Sequence, residues 1–441
     1  MLDFTNDQDP EKKKPSYPKR SPVVYKAWSS KSKHKWLPRR RRQEKLFQLK
    51  GLIAILISSI FLIGLFWSII TNGYQAFVKT YVLLPIEFSE EIAGDQGSGD
   101  HMQIVRNALI EIFPEANSRS QIRSLQGLIS RETPHILRKM IENDPSIIGQ
   151  RQFLWLPVSS DVDILYKSHL YDLAERRGRM NDEQAAWITS LAAQKLLKRS
   201  FNSSFFTGGD SREPEQAGIL GSMIGSFFTI FVCIAFAFPL GVATAMYLEE
   251  FAPENWFTDL IEININNLAA VPSIVFGLLG LSIYLNFFEL PRSSSLVGGL
   301  VLALLVLPVI VIATRNAIRA VPKSIRYAAA ALGATPIQVA FHHTFIYALP
   351  GIMTGVILSI ARALGETAPL LMIGMVAFVA DVPKAITDPA TTLPVQVFLW
   401  SNNPETGFIE KTAAAIIVLL VFLVSINALA IYIRRRFEIK W

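Results

Sequence analysis

The 441-residue sequence contains one cysteine, Cys233, so no disulfide can form within the chain and a disulfide-stapled scaffold is excluded. Charge is also scarce, at 18% Asp, Glu, Lys and Arg, against about 25% in soluble domains. There is no GxxxxGK[ST] loop, so the chain cannot cradle a nucleotide in the P-loop manner. No Cys/His cluster has zinc spacing. His342 and His343 are adjacent and point apart on a helix, which suits a polar helix end rather than a shared metal. No serine–histidine constellation, internal repeat or low-complexity tract stands out. Hydrophobic residues make up 51% of the chain and mean hydropathy is +0.32, which argues against disorder and against a typical soluble enzyme.

The positive charge is concentrated at the start. Residues 1–50 hold 15 Lys/Arg against 5 Asp/Glu, whereas residues 218–441 hold 12 of each. The run Arg39-Arg40-Arg41-Arg42 stands just ahead of a long uncharged stretch. That flank reads as a cytoplasmic tail beside a membrane span, a simpler reason for the charge than nucleic-acid binding, which is not expected.

A bilayer core of ~30 Å needs ~20 apolar helical residues. Apolar stretches of that length, uncharged in all but the fifth, predict spans at 51–71, 219–247, 263–286, 296–314, 350–371 and 412–433. The first lacks a small-residue cleavage site and reads as an uncleaved anchor. The fifth region, 349–380, is interrupted only by Arg362 and Glu366, and is too long for one helix across the bilayer and too short for two. Parity decides. The basic tail and Arg434-Arg435-Arg436 both belong inside, so the count is even, and six spans are expected. The fifth then ends near Leu371, followed by a segment softened by Pro369 and Gly374 at the outer surface. The fold class is an all-α membrane protein. Residues 1–50, 249–262, 315–345 and 434–441 are expected inside; 73–217 and 381–411 are expected outside; 218–433 form the five-helix core.

The external region reads as mostly helical, with helices over 102–113, 118–142 and 170–199, a strand over 153–158, and a turn at Thr207-Gly208-Gly209-Asp210. The inner loop 315–345 reads as two short helices, 322–332 and 336–342. Gly333 suits the left-handed residue between them, and Thr335-Pro336-Ile337-Gln338 forms a capping box. Arg315, Arg319, Lys323 and Arg326 make its flank basic. Such a pair of helices has no core of its own. It reads either as a contact for a motor subunit or as a loop lying on headgroups. Pro272, Gly277, Gly280, Gly298 and Gly299 permit bending or close helix packing, and packing is the favoured reading.

Within the fifth span, Gly355, Ser359, Arg362 and Glu366 fall at 4-3-4 spacing and share one helical face, with Arg362 expected near mid-membrane. Ionisable residues there rarely face lipid. One reading is a water-filled path in which Arg362 offers its charge to an anion; the other is an Arg–Glu pair that docks helices.

Three stretches carry a family resemblance. Arg326-Tyr-Ala-Ala-Ala-Ala-Leu-Gly-Ala-Thr335 resembles the EAA motif of ABC-importer permeases, with Ala328, Ala329 and Gly333 matching and Tyr327 standing where the motif has Glu. Ala361-Arg-Ala-Leu-Gly-Glu-Thr-Ala-Pro-Leu-Leu371 and Ala270-Val-Pro-Ser-Ile-Val-Phe-Gly277 look like the PstA-type permeases of phosphate importers. Phe205-Phe-Thr-Gly-Gly-Asp-Ser-Arg-Glu-Pro214 is similar to the variety with an enlarged N-terminal region. The resemblance covers most of residues 50–441. It implies a type I ABC-importer permease without enzymatic activity or cofactor of its own, in a bacterial inner membrane with both termini cytoplasmic. It further implies a PstC-type partner permease, two ATPase subunits that bind ATP and Mg, and a periplasmic phosphate-binding protein. Arg362, Glu366 and Thr367 would then belong to the translocation region, with Ser359 and Gly355 on the same stripe. Ala328, Ala329 and Gly333 would form the coupling helix, with Arg326, Thr335 and Gln338 beside it as ATPase contacts. Sulfate or molybdate importers, a secondary transporter and a membrane-anchored receptor remain as other readings.

Overall fold

The computed structural model describes residues 30–89, 100–167, 180–375 and 378–437. The first 29 residues of the basic tail, the opening of the expected 170–199 helix and the last four residues lie outside these.

Helix α1 (Ser30–Gly73) carries both the basic run and the expected first span on one continuous helix. Apolar side chains along it, such as Phe47, Ile57 and Phe61, are exposed, as suits lipid.

Among its described residues, the region 73–217, expected outside, is mostly helical, as its periodicity implies, but it is built around a three-stranded antiparallel sheet of order β2-β1-β3. Strand β1 (Val78–Glu87) is central, between β2 (Arg151–Pro157) and β3 (Leu197–Phe201). Val82 opposes both Leu156 and Leu197. These three are buried with Leu84 and Ile86 in one core with Ile104, Val105 and Leu109 of α2 (His101–Ile112). The expected helix over 118–142 is two helices, α3 (Arg119–Gln126) and α4 (Thr133–Asn143). Between them Ser130 N donates to Pro157 O, a bond to β2 that continuous helix would forfeit, and Pro134 restarts the helix in the first turn of α4. Helices α5 (Ser160–Lys167) and α6 (Asp182–Ala193) follow. Where one helix to Arg199 was expected, α6 stops at Ala193. Lys195, at φ 57°, turns the chain into β3.

After the short α7 (Ser203–Thr207) come the long apolar helices. Helix α8 (Leu220–Met246) is prolonged by a π-helical turn to Phe251. Helices α9 (Trp256–Ala269) and α10 (Ser273–Gly280, continued in π-helical form to Phe287) follow. Then come α11 (Ser295–Ala320), α12 (Lys323–Ala331), α13 (Pro336–Gly365), α14 (Ala368–Met372), α15 (Leu393–Ser401) and α16 (Gly407–Phe437). By length and composition, five helices among the described residues can each cross a membrane, and the pair α9–α10 makes a sixth crossing if counted as one. The expected third span, 263–286, is broken: α9 and α10 meet at 102°. Pro272 has no N–H to donate and pushes Val271 out of helical geometry, so the helix breaks there. Because α9 begins at Trp256, the expected inside loop 249–262 is in good part helix.

Helices α8 and α11 form the centre of the core, and close approach explains its small residues. A Cβ added at Gly299 would lie 2.5 Å from the Val232 Cβ, and one at Gly280 would lie 2.2 Å from the Val301 Cγ2. Gly277 and Gly298 are similarly crowded, which bears out the packing reading for these glycines.

Candidate functional site

The loop 315–345, expected inside, is built largely as the sequence implies. Gly333 adopts φ +87° with nothing within 4 Å of where a Cβ would stand, so conformation alone selects glycine there. Thr335 and Gln338 close their capping box, with Thr335 N donating to Gln338 Oε1 at 2.9 Å and Gln338 N to Thr335 Oγ1 at 3.4 Å. The second helix does not stop at 342. A π-helical turn over Val339–Thr344 leads straight into Phe345–Gly365, so loop helix and fifth span are one element, α13.

Three of the four flanking cations are paired with acids that the sequence reading passed over. Arg315, largely buried, donates to Glu249 Oε1 at 2.6 Å and to Glu262 Oε2 at 2.8 Å. Arg319 donates to Glu249 Oε2 at 3.0 Å. Arg326 reaches Glu250 at 2.9 Å and donates to the carbonyls of Ile318 and Val321. These pairs tie α11 and α12 to the end of α8 and to α9. The available signal was the trio Glu249, Glu250 and Glu262 within a short inner segment.

Of the expected contact residues, Arg326, Thr335 and Gln338 are thus engaged within the loop, and Ala329 is buried. Ala328 is exposed, together with the apolar side chains of Tyr327, Leu332, Ile337 and Phe341. Leu332 is 90% exposed, which is unusual for leucine in a helical turn and marks an uncovered apolar surface.

The polar stripe of α13 separates into two halves. Gly355 packs on α11, where an added Cβ would come 2.3 Å from Ala313 Cβ. Ser359 is fully buried and donates to the Gly355 carbonyl at 2.9 Å. These two residues face the packed core, not an open path. Arg362 and Glu366 are brought together, with Nε 3.8 Å from Oε1 and side chains 41% and 20% exposed. The helix ends at Gly365, not near 371, because Glu366 turns extended at φ −81°, ψ 128°. Arg362 therefore stands in the last turn of α13 rather than at its middle. Thr367 precedes α14, whose first turn holds Pro369.

Sequence reasoning also missed a group of buried hydroxyls behind this turn. Ala363 and Leu364 line a cavity of about 10 Å³ with Ser226, Thr229 and Thr392. Ser226 Oγ accepts from Leu393 N at 2.8 Å, whereas Thr229 Oγ1 and Thr392 Oγ1 find no partner among the described residues. Single hydroxyls scattered through apolar runs give no periodic signal.

Buried charges stand within residues 73–217 and between them and α15 and α16. Lys79 pairs with Glu132 at 3.4 Å, and Lys167 pairs with Asp163 and, at 3.6 Å, with Glu410 of α16. Lys411 donates to the Ala217 carbonyl at 3.3 Å, and Trp400 Nε1 donates to Asp210 Oδ1 at 2.9 Å. Burial pushes the Asp210 and Glu215 carboxyls above their ordinary range, against hydrogen bonds from Trp400 and Ser130 respectively.

Residues 237–439 match the family model of binding-protein-dependent transport system inner membrane components, and residues 34–175 match a domain of unknown function, DUF3333. The phosphate transport system permease protein PstA of Haemophilus influenzae is 33% identical over 222 residues, covering 50% of this chain and 77% of that protein. The chain belongs to the binding-protein-dependent permease family. Two further relatives of this permease are PstA of Mycobacterium leprae, 35% identical over 48% of this chain and 70% of that protein, and the probable ABC transporter permease YqgI of Bacillus subtilis, 32% identical over 51% and 81%. The permease is thus a multi-span inner membrane component. DUF3333 takes in most of α1 and the external region up to α5.

Proposed function

We propose that this permease is a membrane-spanning subunit of an ATP-driven importer whose substrate is inorganic phosphate. The observation that carries this reading is its similarity, at about a third identity, to PstA permeases over most of their length. Arg362 supports it: its guanidinium is part-exposed at a helix end, and its planar fork suits a tetrahedral oxyanion. Glu366 holds the guanidinium until an anion competes for it, and Thr367 stands next along the chain. The apolar surface of Tyr327, Leu332, Ile337 and Phe341, with Ala328 and Gly333 between them, receives one of two ATPase subunits. Those subunits bind ATP and Mg; this chain binds neither. A PstC-type permease completes the membrane unit, and a phosphate-binding protein delivers substrate from the periplasm. Residues 1–50 and 434–441 face the cytoplasm, 51–71 anchor the chain, 73–217 lie outside, and 218–433 form the permease core.

The test is copurification from native membranes, followed by uptake measurements in reconstituted vesicles. ATP-dependent phosphate accumulation that excess sulfate or molybdate leaves unchanged is the expected result; accumulation of either of those anions instead overturns the substrate. For topology, Cys233 is replaced by Ser and single cysteines are placed at the exposed Ser120 and Ser324. An impermeant thiol reagent is expected to label the first alone in spheroplasts, and labelling at Ser324 overturns the orientation.

A further inference from the structure

Six aromatic rings form a continuous ladder at the base of the external region. Phe201 stacks on Phe206 at 5.7 Å, and Phe206 stacks on Phe77 at 5.6 Å. Phe77 meets Phe205 edge-on at 5.8 Å, and Phe205 leads on to Trp400 at 6.4 Å and from there to Phe408 at 5.9 Å. The ladder is buried at one end, where Phe205, Trp400 and Phe408 share a core with α16. It is open at the other, where Phe201 is 64% exposed; Tyr74, four residues before the Val78 that pairs with Phe201, is 56% exposed.

The depth of the open end follows from α16. Its uncharged run, 412–433, begins just after Lys411 and ends at Arg434-Arg435-Arg436. A Cβ added at Gly73 would lie 2.9 Å from the Ala413 carbonyl carbon, so the chain leaves α1 level with the first turn of that run. Tyr74 follows at once, and the register pairs Val78 with Phe201. Tyr74 is therefore level with the boundary of the apolar run, and Phe201 pairs with the chain four residues beyond it. Aromatic rings with one apolar and one wet side collect at that boundary. Arg199 and Lys198 lie two and three residues back along β3, both exposed and about 7–10 Å away along the strand, where Arg199 donates to the Tyr166 carbonyl and Lys198 stands over the Trp155 ring.

We propose that the Tyr74–Phe201 edge seats the external region in the headgroup layer of the bilayer, at the end of the spans opposite Arg434, with phospholipid as its partner. The same sheet supplies an internal contrast. Phe153 is equally exposed but opposes Pro85, seven residues along β1 from Val78, or about 23 Å.

The test uses the full-length chain with Cys233→Ser, carrying Phe201→Cys or Phe153→Cys, labelled with an environment-sensitive fluorophore. The protein is reconstituted in vesicles of phosphatidylethanolamine and phosphatidylglycerol, with and without lipids bearing a nitroxide just below the headgroup. Quenching several-fold stronger at position 201 than at 153 is expected. Tyr74→Cys, on the same edge, serves if the Phe201 variant fails to insert, and is expected to quench alike. Quenching at the base no stronger than at 153 would overturn the proposal.

Discussion

Replacing Glu366 and Arg362, singly and together, separates the two uses open to that arginine. The ion pair has Nε 3.8 Å from Oε1, with side chains 41% and 20% exposed. Pairs this open to solvent contribute about 0.2–1 kcal/mol. At about 1.4 kcal/mol per tenfold, Glu366→Gln should cost uptake less than about fivefold. A charge-assisted contact between Arg362 and a passing anion is stronger, about 1.5–3 kcal/mol, so Arg362→Gln should lower uptake by roughly ten- to a hundredfold. Arg362→Lys should fall between, since a point charge keeps the attraction but loses the fork. The double change should then do no better than Arg362→Gln alone, because removing Glu366 restores nothing an anion needs. Initial rates of radiolabelled phosphate uptake, corrected for the amount of assembled complex, give all four values. Equal, modest losses in the two single variants with recovery in the double would show a structural clamp and refute the pathway role.

Three further outcomes follow from the packing and charges. Gly333→Val meets no steric clash but must hold a left-handed conformation that costs a β-branched residue about 1–2 kcal/mol; the chain should insert, yet substrate-stimulated ATPase activity of the complex should be lost. Arg315→Gln should lower stability by about 3 kcal/mol in thermal unfolding, because Glu249 keeps only Arg319 while still buried, and adding Glu249→Gln should recover part of it. Asp210 binds its proton more readily folded than unfolded, so its contribution is greatest below its ordinary pKa of 3.8 and declines as pH rises through the raised value; Asp210→Asn keeps an acceptor for Trp400 and should flatten that part of the stability–pH profile, with unchanged pH dependence counting against a buried carboxylate.

The long elements were legible because a membrane imposes one simple demand on them. Every span but the third appears as a continuous helix, and Gly333, Thr335 and Gln338 were readable because their roles are local. The failures come from non-local causes. Strand β1 holds Pro85, which argues against a central strand, and it is stabilised by partners more than sixty residues away. The end of α13 was placed too late because the apolar composition continues past Gly365, while the break itself depends on how α14 packs against α10. Gly355 and Ser359 looked like part of a polar path by spacing, but spacing cannot say which neighbour a face meets, and here it meets Ala313.

The arginines at the end of α11 and in α12 act at two moments with opposite electrical character. On the proposed orientation, Arg315, Arg319 and Arg326 are free cations while the chain is being inserted and hold their segment inside, because acidic residues count for little in that choice. Once Glu249, Glu250 and Glu262 fold against them, the same three charges are paired, and the surface proposed to meet a motor subunit, formed by Tyr327, Leu332, Ile337 and Phe341, is apolar. Topology and docking therefore draw on different physics in one short segment. The first is electrostatic and decided early. The second, on the proposed reading, is a hydrophobic contact, so its strength should hold or rise with added salt instead of being screened away.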